Sequence, residues 1–283
     1  MSWLTRSFDE HSIAWILISG GLGTLLGAFI KFYFDQVLGA RFKAARIAGA
    51  AIRNYSLPLL ESAYTLDRRI ANFCRFVDRK WFEDKDDDYY RLSTLYVFGC
   101  YFGWCKILEN EGFFGLDNSK RRTQKFGHQY HRVFKGMTSF EYFDLENIQE
   151  VAMDAASVPR LALTAIGELM IKDKDQAGKK PSVLGFVEFT QKYQSSEEFK
   201  KWFGYVDRLL RGITGRSQDL KWNRLLVFDC NLRVFVSFLD PQGRQTTKHL
   251  IDCLPFMDPV VAGRVRKEIA DAGFGKLLEE CSR

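Results

Sequence analysis

Residues Tyr89 to Glu111 read YYRLSTLYVFGCYFGWCKILENE, and 14 uncharged residues separate Arg91 from Lys106. A run this apolar, without proline and too long for an ordinary strand, predicts a helix buried on all sides. It falls short of comfortably crossing hydrocarbon, so its place is the centre of a protein core. Gly99 and Gly103 lack side-chain bulk and predict a second helix packed closely against this one.

Upstream, Glu83 to Asp88 (EDKDDD) is acidic but lacks the glycine and distant glutamate of a calcium loop. Acids just ahead of a helix favour its positive N-terminus, so capping and solvation are expected there. Leu60, Tyr64, Leu66, Ile70, Phe73 and Val77 recur at helical spacing and predict an amphipathic helix from Leu59 to Trp81. Pro58 is expected to kink or restart the chain, ending an alanine-rich, basic helix that runs from Asp35 to Tyr55.

Downstream, Val158-Pro159 opens a helix to about Ile171. Lys172 to Pro181 reads as a loop and as the best candidate for a lobe boundary. Ser195-x-x-Glu198 resembles a capping box that starts a helix closed near Gly212 to Gly215. A long helix from Leu220 to Phe238, a turn at Asp240 to Gly243, a short helix from Thr246 to Cys253 and a terminal helix from Val260 to Glu280 complete the reading. Strand-type alternation is weak throughout, so the predicted class is all-α.

The first segment differs in kind. From Ile13 to Ile30 the chain reads IAWILISGGLGTLLGAFI, 18 residues without a charge, followed by Lys31 and the aromatic run Phe32, Tyr33, Phe34. With Trp15 near the other end, this predicts one transmembrane helix over 13–34. Lys31, Arg41, Lys43, Arg46 and Arg53 face a single Asp35 on the C-terminal flank, whereas Arg6 is outnumbered by Asp9 and Glu10 before the span. That asymmetry places residues 1–12 outside as a short tail and 35–283 in the cytoplasm as an α-helical domain. The acidic approach and the missing small-residue cleavage site argue against a removable signal peptide. Ser19, Gly23 and Gly27 form one stripe on this helix, and Gly20, Thr24 and Ala28 the next, so a homo-oligomer held through a nearly bare helix face is expected.

Composition agrees with a folded, cytoplasmic body. The chain of 283 residues is 46% hydrophobic with six prolines, which excludes general disorder. Its six cysteines (74, 100, 105, 230, 253 and 281) form no C-x-x-C or dense framework and read as reduced thiols. The net charge of +6 is mild.

Chemistry concentrates in Ser119 to Gly136 (SKRRTQKFGHQYHRVFKG), where Lys120, Arg121, Arg122, Lys125, Arg132 and Lys135 meet no acid between Asp117 and Glu141. Cations interleaved with Phe126, Tyr130 and Phe134 suit phosphate held by charge with rings in headgroups or on bases, unless acids elsewhere in the fold neutralise them. Proximity to a bilayer favours anionic lipid over nucleic acid. His128 and His131 share a helix face, as do His249 and Cys253, but neither pair completes a metal site. No nucleophile elbow, Walker loop or HExxH is present, so the sequence implies no cofactor and names no catalytic residue or protein partner. The expected function is therefore membrane-anchored interaction, as a scaffold or sensor. Two other classes stay open: an oligomeric effector that alters bilayer permeability, and a helical enzyme acting on a phosphorylated or lipid substrate with His128 or His131 as acid or base.

Overall fold

The structure, a computed structural model, describes residues 39–79, 82, 88–113, 121–144, 150–172, 180–247 and 251–279, together with Thr24, Ala28, Phe29, Lys31 and Phe32. Those five are helical and exposed; the rest of the predicted span, including Ser19, Gly20, Gly23 and Gly27, lies outside the described residues. Among the described residues no helix is long and apolar enough to cross a membrane.

Besides those five residues, ten α-helices appear among the described residues, with no strand beyond an isolated antiparallel bridge between Ile171 and Val183. They are α1 (Gly39–Arg75), α2 (Tyr89–Leu108), α3 (Arg121–Thr138), α4 (Glu150–Ala156) and α5 (Arg160–Leu169). The remainder are α6 (Phe186–Ser195), α7 (Glu197–Leu210), α8 (Leu220–Leu239), α9 (Pro259–Asp271) and α10 (Lys276–Glu279). The class is all-α, as the sequence predicts.

α2 takes the central place expected of it, packed on α1, α5 and α7. Its glycines are needed there. A Cβ on Gly99 would lie 2.9 Å from both Met170 and Phe203, and one on Gly103 would lie 2.7 Å from Val183. Across that contact a Cβ on Gly167 of α5 would come within 2.6 Å of the Phe102 carbonyl oxygen, a backbone atom that cannot swing away.

A second helix is buried just as fully. Every residue of α8 from Trp222 to Val236 is inaccessible, because the helix is a wall between two cores. Leu225, Phe228, Leu232 and Phe235 face the main core, where Phe228 stacks on Phe98 of α2 at 5.8 Å. Trp222, Leu226, Val227, Cys230 and Val234 face a smaller core closed by Tyr142, Phe143, Leu254, Met257 and the apolar face of α9. Asp219 starts α8 by accepting from the Lys221 and Trp222 amides, and Asp258 does the same for Val260 and Val261 at the start of α9.

Several local expectations need correction. Pro58 does not interrupt the chain: α1 runs through it for 37 residues. The lost amide bond costs about 3 kcal/mol, while complete burial of Leu59 and Leu66 close by returns about 1.5–3 kcal/mol each. Packing wins. The same helix ends at Arg75 rather than Trp81. The cap of α7 is Ser196, whose hydroxyl accepts from the Phe199 amide, and Ser195 instead ends α6. The Asp88 side chain caps no backbone amide of α2 and pairs instead with Arg91 at 3.3 Å, while its carbonyl accepts from the Leu92 amide; Glu83 to Asp87 lie outside the described residues. Of the helix expected over 246–253, residues 246–247 and 251–253 are not helical. The Asp240 carboxylate holds the amides of Arg244, Gln245 and Thr246 in a turn instead. The terminal helix also divides at Gly273, whose φ of 83° leaves the helical region. The chain either side of 173–179 is tied together, Lys172 N–H donating to Ser182 and Leu184 N–H to Met170.

Candidate functional site

The basic segment forms α3, and its apolar residues explain why. Phe126, Tyr130, Val133, Phe134 and Met137 recur along one face and are buried, packing on α8. This corrects the expectation that the aromatics stand ready for bases or headgroups. Phe126 meets Phe235 edge-on at 5.5 Å, and Tyr130 donates to Glu109 at 2.7 Å. The rings belong to the core.

The cations divide into two groups. Arg132 bonds Glu268 of α9 at 3.2 Å, and Lys135 bonds Glu141 at 2.9 Å with Glu268 at 3.8 Å. The Lys135 ammonium accordingly holds the Glu141 carboxyl below its ordinary value. The C-terminal half of α3 is thus neutralised from within the fold. At the other end Lys125 is exposed, with no carboxylate partner among the described residues. Arg121 and Arg122 open the helix; their side chains, and all of Lys120, lie outside the described residues. No acid sits in this first turn, so side-chain charge and the positive helix end reinforce each other.

Beside that turn lies a cavity of about 490 Å³. Its walls are Ile52, Arg53 and Ser56 of α1, Thr123 and Phe126 of α3, and Phe238 and Pro241 at the end of α8. The volume falls within the range of small-molecule sites, about 300–1,000 Å³, which are typically apolar with a few polar groups at the edge. Here the lining includes the buried Phe126 and the exposed, charged Arg53. No family model, no curated protein and no solved structure matches this chain.

His128 and His131 are exposed on α3. Partial burial and the Arg160 guanidinium lower the pKa of His131 and favour its neutral form. Among the described residues no group of three His, Cys, Asp or Glu side chains is placed to hold a metal. His249 lies outside the described residues, and Cys253 has a different neighbour: its Sγ is 3.2 Å from Sγ of Cys230.

A second polar constellation surrounds that thiol pair, and sequence reasoning passed over it. Arg233 of α8, 5% exposed, bonds Asp67 of α1 and Asp229 of its own helix, both at 2.9 Å, and also Asp252. Burial, with the neighbouring Asp67 carboxyl adding to it, raises the Asp229 carboxyl well above the ordinary range, although the facing Arg233 opposes this. Burial alone would lower the Arg233 pKa, but the facing Asp229 and Asp67 carboxyls more than reverse this, so the guanidinium stays charged. One signal was available: Arg224, Asp229 and Arg233, with Asn223 and Asn231, stand in a helix whose apolar residues occur around its whole circumference, so at least some of these charges had to be buried.

Proposed function

We propose that this chain is a single-pass membrane protein with a cytoplasmic helical body that acts by interaction, as a scaffold or sensor, and that holds anionic lipid at the end nearest its anchor. The observation that carries the lipid assignment is the cavity between α1, α3 and α8 beside the acid-free first turn of α3. An apolar recess with a cationic rim suits an amphiphile with a negative headgroup, whose tail would lie against Ile52 and Phe126. The cavity is built partly by residues 52–56, which follow the predicted span by less than 25 residues. The uncharged run from Ile13 to Ile30, with Phe29 and Phe32 exposed, supports the anchor. The stripe of Ser19, Gly23 and Gly27, flanked by Gly20 and Thr24, supports self-association within it.

The test uses the full chain, reconstituted into bilayers of phosphatidylcholine with or without phosphatidylserine, released in mild detergent and weighed by native mass spectrometry. The expected result is an oligomer that retains phosphatidylserine. Ile52→Trp, which fills the cavity, and the pair Arg121→Glu with Arg122→Glu should each abolish retention without changing subunit count. Gly23→Ile with Gly27→Ile should reduce the oligomer and leave retention intact. A protein that emerges free of lipid from both bilayers removes the lipid assignment.

A further inference from the structure

We infer that Cys230 and Cys253 form a reversible disulfide under peroxide, fastening the segment ahead of α9 to the middle of α8. The inference is independent of the lipid assignment. The two residues are 23 apart in sequence and come from different elements, yet their sulfurs stand 3.2 Å apart and both are reduced. A disulfide needs about 2.05 Å, so the sulfurs must close by about 1.2 Å. The two sides are unequal in freedom. Cys230 is fixed in a helix buried from Trp222 to Val236, whereas residues 251–253 belong to no helix or strand and can supply the shift.

The roles of the two thiols follow from their surroundings. Cys253 is 6% exposed and adjoins Asp252, whose side chain is 75% exposed, while Cys230 is fully covered. An oxidant therefore reaches Cys253 first. The hydrogen bond from Cys230 lowers the Cys253 pKa, burial opposes it, and the Arg233 guanidinium adds to the lowering. Burial raises Cys230, which stays a protonated thiol.

The oxidant is a hydroperoxide, and the chemistry balances with hydrogen peroxide. The Cys253 thiolate attacks one peroxide oxygen, the O–O bond breaks and hydroxide leaves, giving a sulfenic acid. Sγ of Cys230 then attacks that sulfur and displaces the hydroxyl, which departs as water with the Cys230 proton. The proton already lost from Cys253 converts the hydroxide to a second water. Two sulfurs give up two electrons and one peroxide is reduced. A small thiol reverses the bond by exchange, so the device can cycle in a reducing compartment.

The direct test treats the reduced full-length protein with hydrogen peroxide, blocks remaining thiols by alkylation, and maps the peptides without reduction. The expected result is loss of two hydrogen atoms from a linked peptide pair containing Cys230 and Cys253, restored by dithiothreitol. In Cys230→Ser, Cys253 should accumulate as a sulfenic acid trapped by dimedone; in Cys253→Ser, Cys230 should stay reduced. Because the wild-type map requires no variant to fold, it decides alone. Both thiols alkylated after peroxide, or Cys253 joined to Cys74, overturns the inference.

Discussion

α8 buries two arginines nine positions apart, and the fold holds them by different means. Arg233 meets carboxyl groups: Asp67 and Asp252, together with Asp229, whose pKa burial raises. Arg224, which is 0% exposed, meets only partial charges. Its Nη1 donates to the carbonyls of Gly136 and Ser139 at the C-terminal end of α3, where the helix dipole is negative. Its guanidinium sits 4.4 Å from the Phe140 ring centroid and 4.6 Å from that of Phe143. Its Nε and Nη2 have no partner among the described residues. Burial without a countercharge lowers its pKa to about 10, still a cation at neutral pH. A helix end and two ring faces therefore suffice to keep a charge buried, but they leave donors unused where carboxylates would occupy them.

The comparison breaks most sharply at Arg233. Arg233→Met strands the buried Asp67 carboxylate without its cation and should destabilise the body by about 3–5 kcal/mol in urea titration. Adding Asp67→Leu and Asp229→Leu to that variant removes the stranded groups and should recover most of the loss. Arg224→Met leaves no charge behind. It gives up the ring contacts, worth about 2 kcal/mol when desolvated, and the α3 carbonyl bonds, but relieves a cation of its desolvation. Its net cost should be about 1–2 kcal/mol, so a loss as large as that of Arg233→Met would erase the distinction. Asp229→Asn is the gentlest change and sharpens the comparison through pH. Unfolded, Asp229 ionises near its ordinary value of about 3.9, whereas burial keeps it protonated to higher pH when folded. Stability therefore falls as pH rises from about 4 through the folded value, since only the unfolded chain has released the proton. Thermal melts across that window should show a shallower decline for Asp229→Asn than for the parent.

These two arginines also mark where the sequence stops being legible. The long periodic elements could be read directly: α2 with its paired glycines, α8, the turn at Asp240 and the helical class. The short α5 was announced by Pro159, but α4 and α6 were not legible. α4 leaves Val151 78% exposed and α6 leaves Val187 70% exposed, so neither presents a clean apolar face to recognise. Pro58 and the Ser195 box misled because local preference is worth little against tertiary burial, and because a neighbouring serine could cap equally well. The basic segment was visible as charge, but its partial neutralisation depends on Glu268, 136 residues beyond Arg132. The cavity is of the same kind, since no single stretch holds more than a few of its walls. Cys230 and Cys253 share no spacing motif and meet only because the chain turns back at Asp240 to lay residues 251–257 along α8.

The continuity of α1 through Pro58 has a mechanical consequence. At about 1.5 Å per residue, its 37 residues make a rod of about 55 Å. A tilt of about 5° at one end of a rod that long displaces the other end by about 5 Å. Near the far end Cys74 packs against both the main core and the smaller one. A lever pivoting on the body would thus bear on the seam between the two cores, where Asp67, Arg233 and the thiol pair lie.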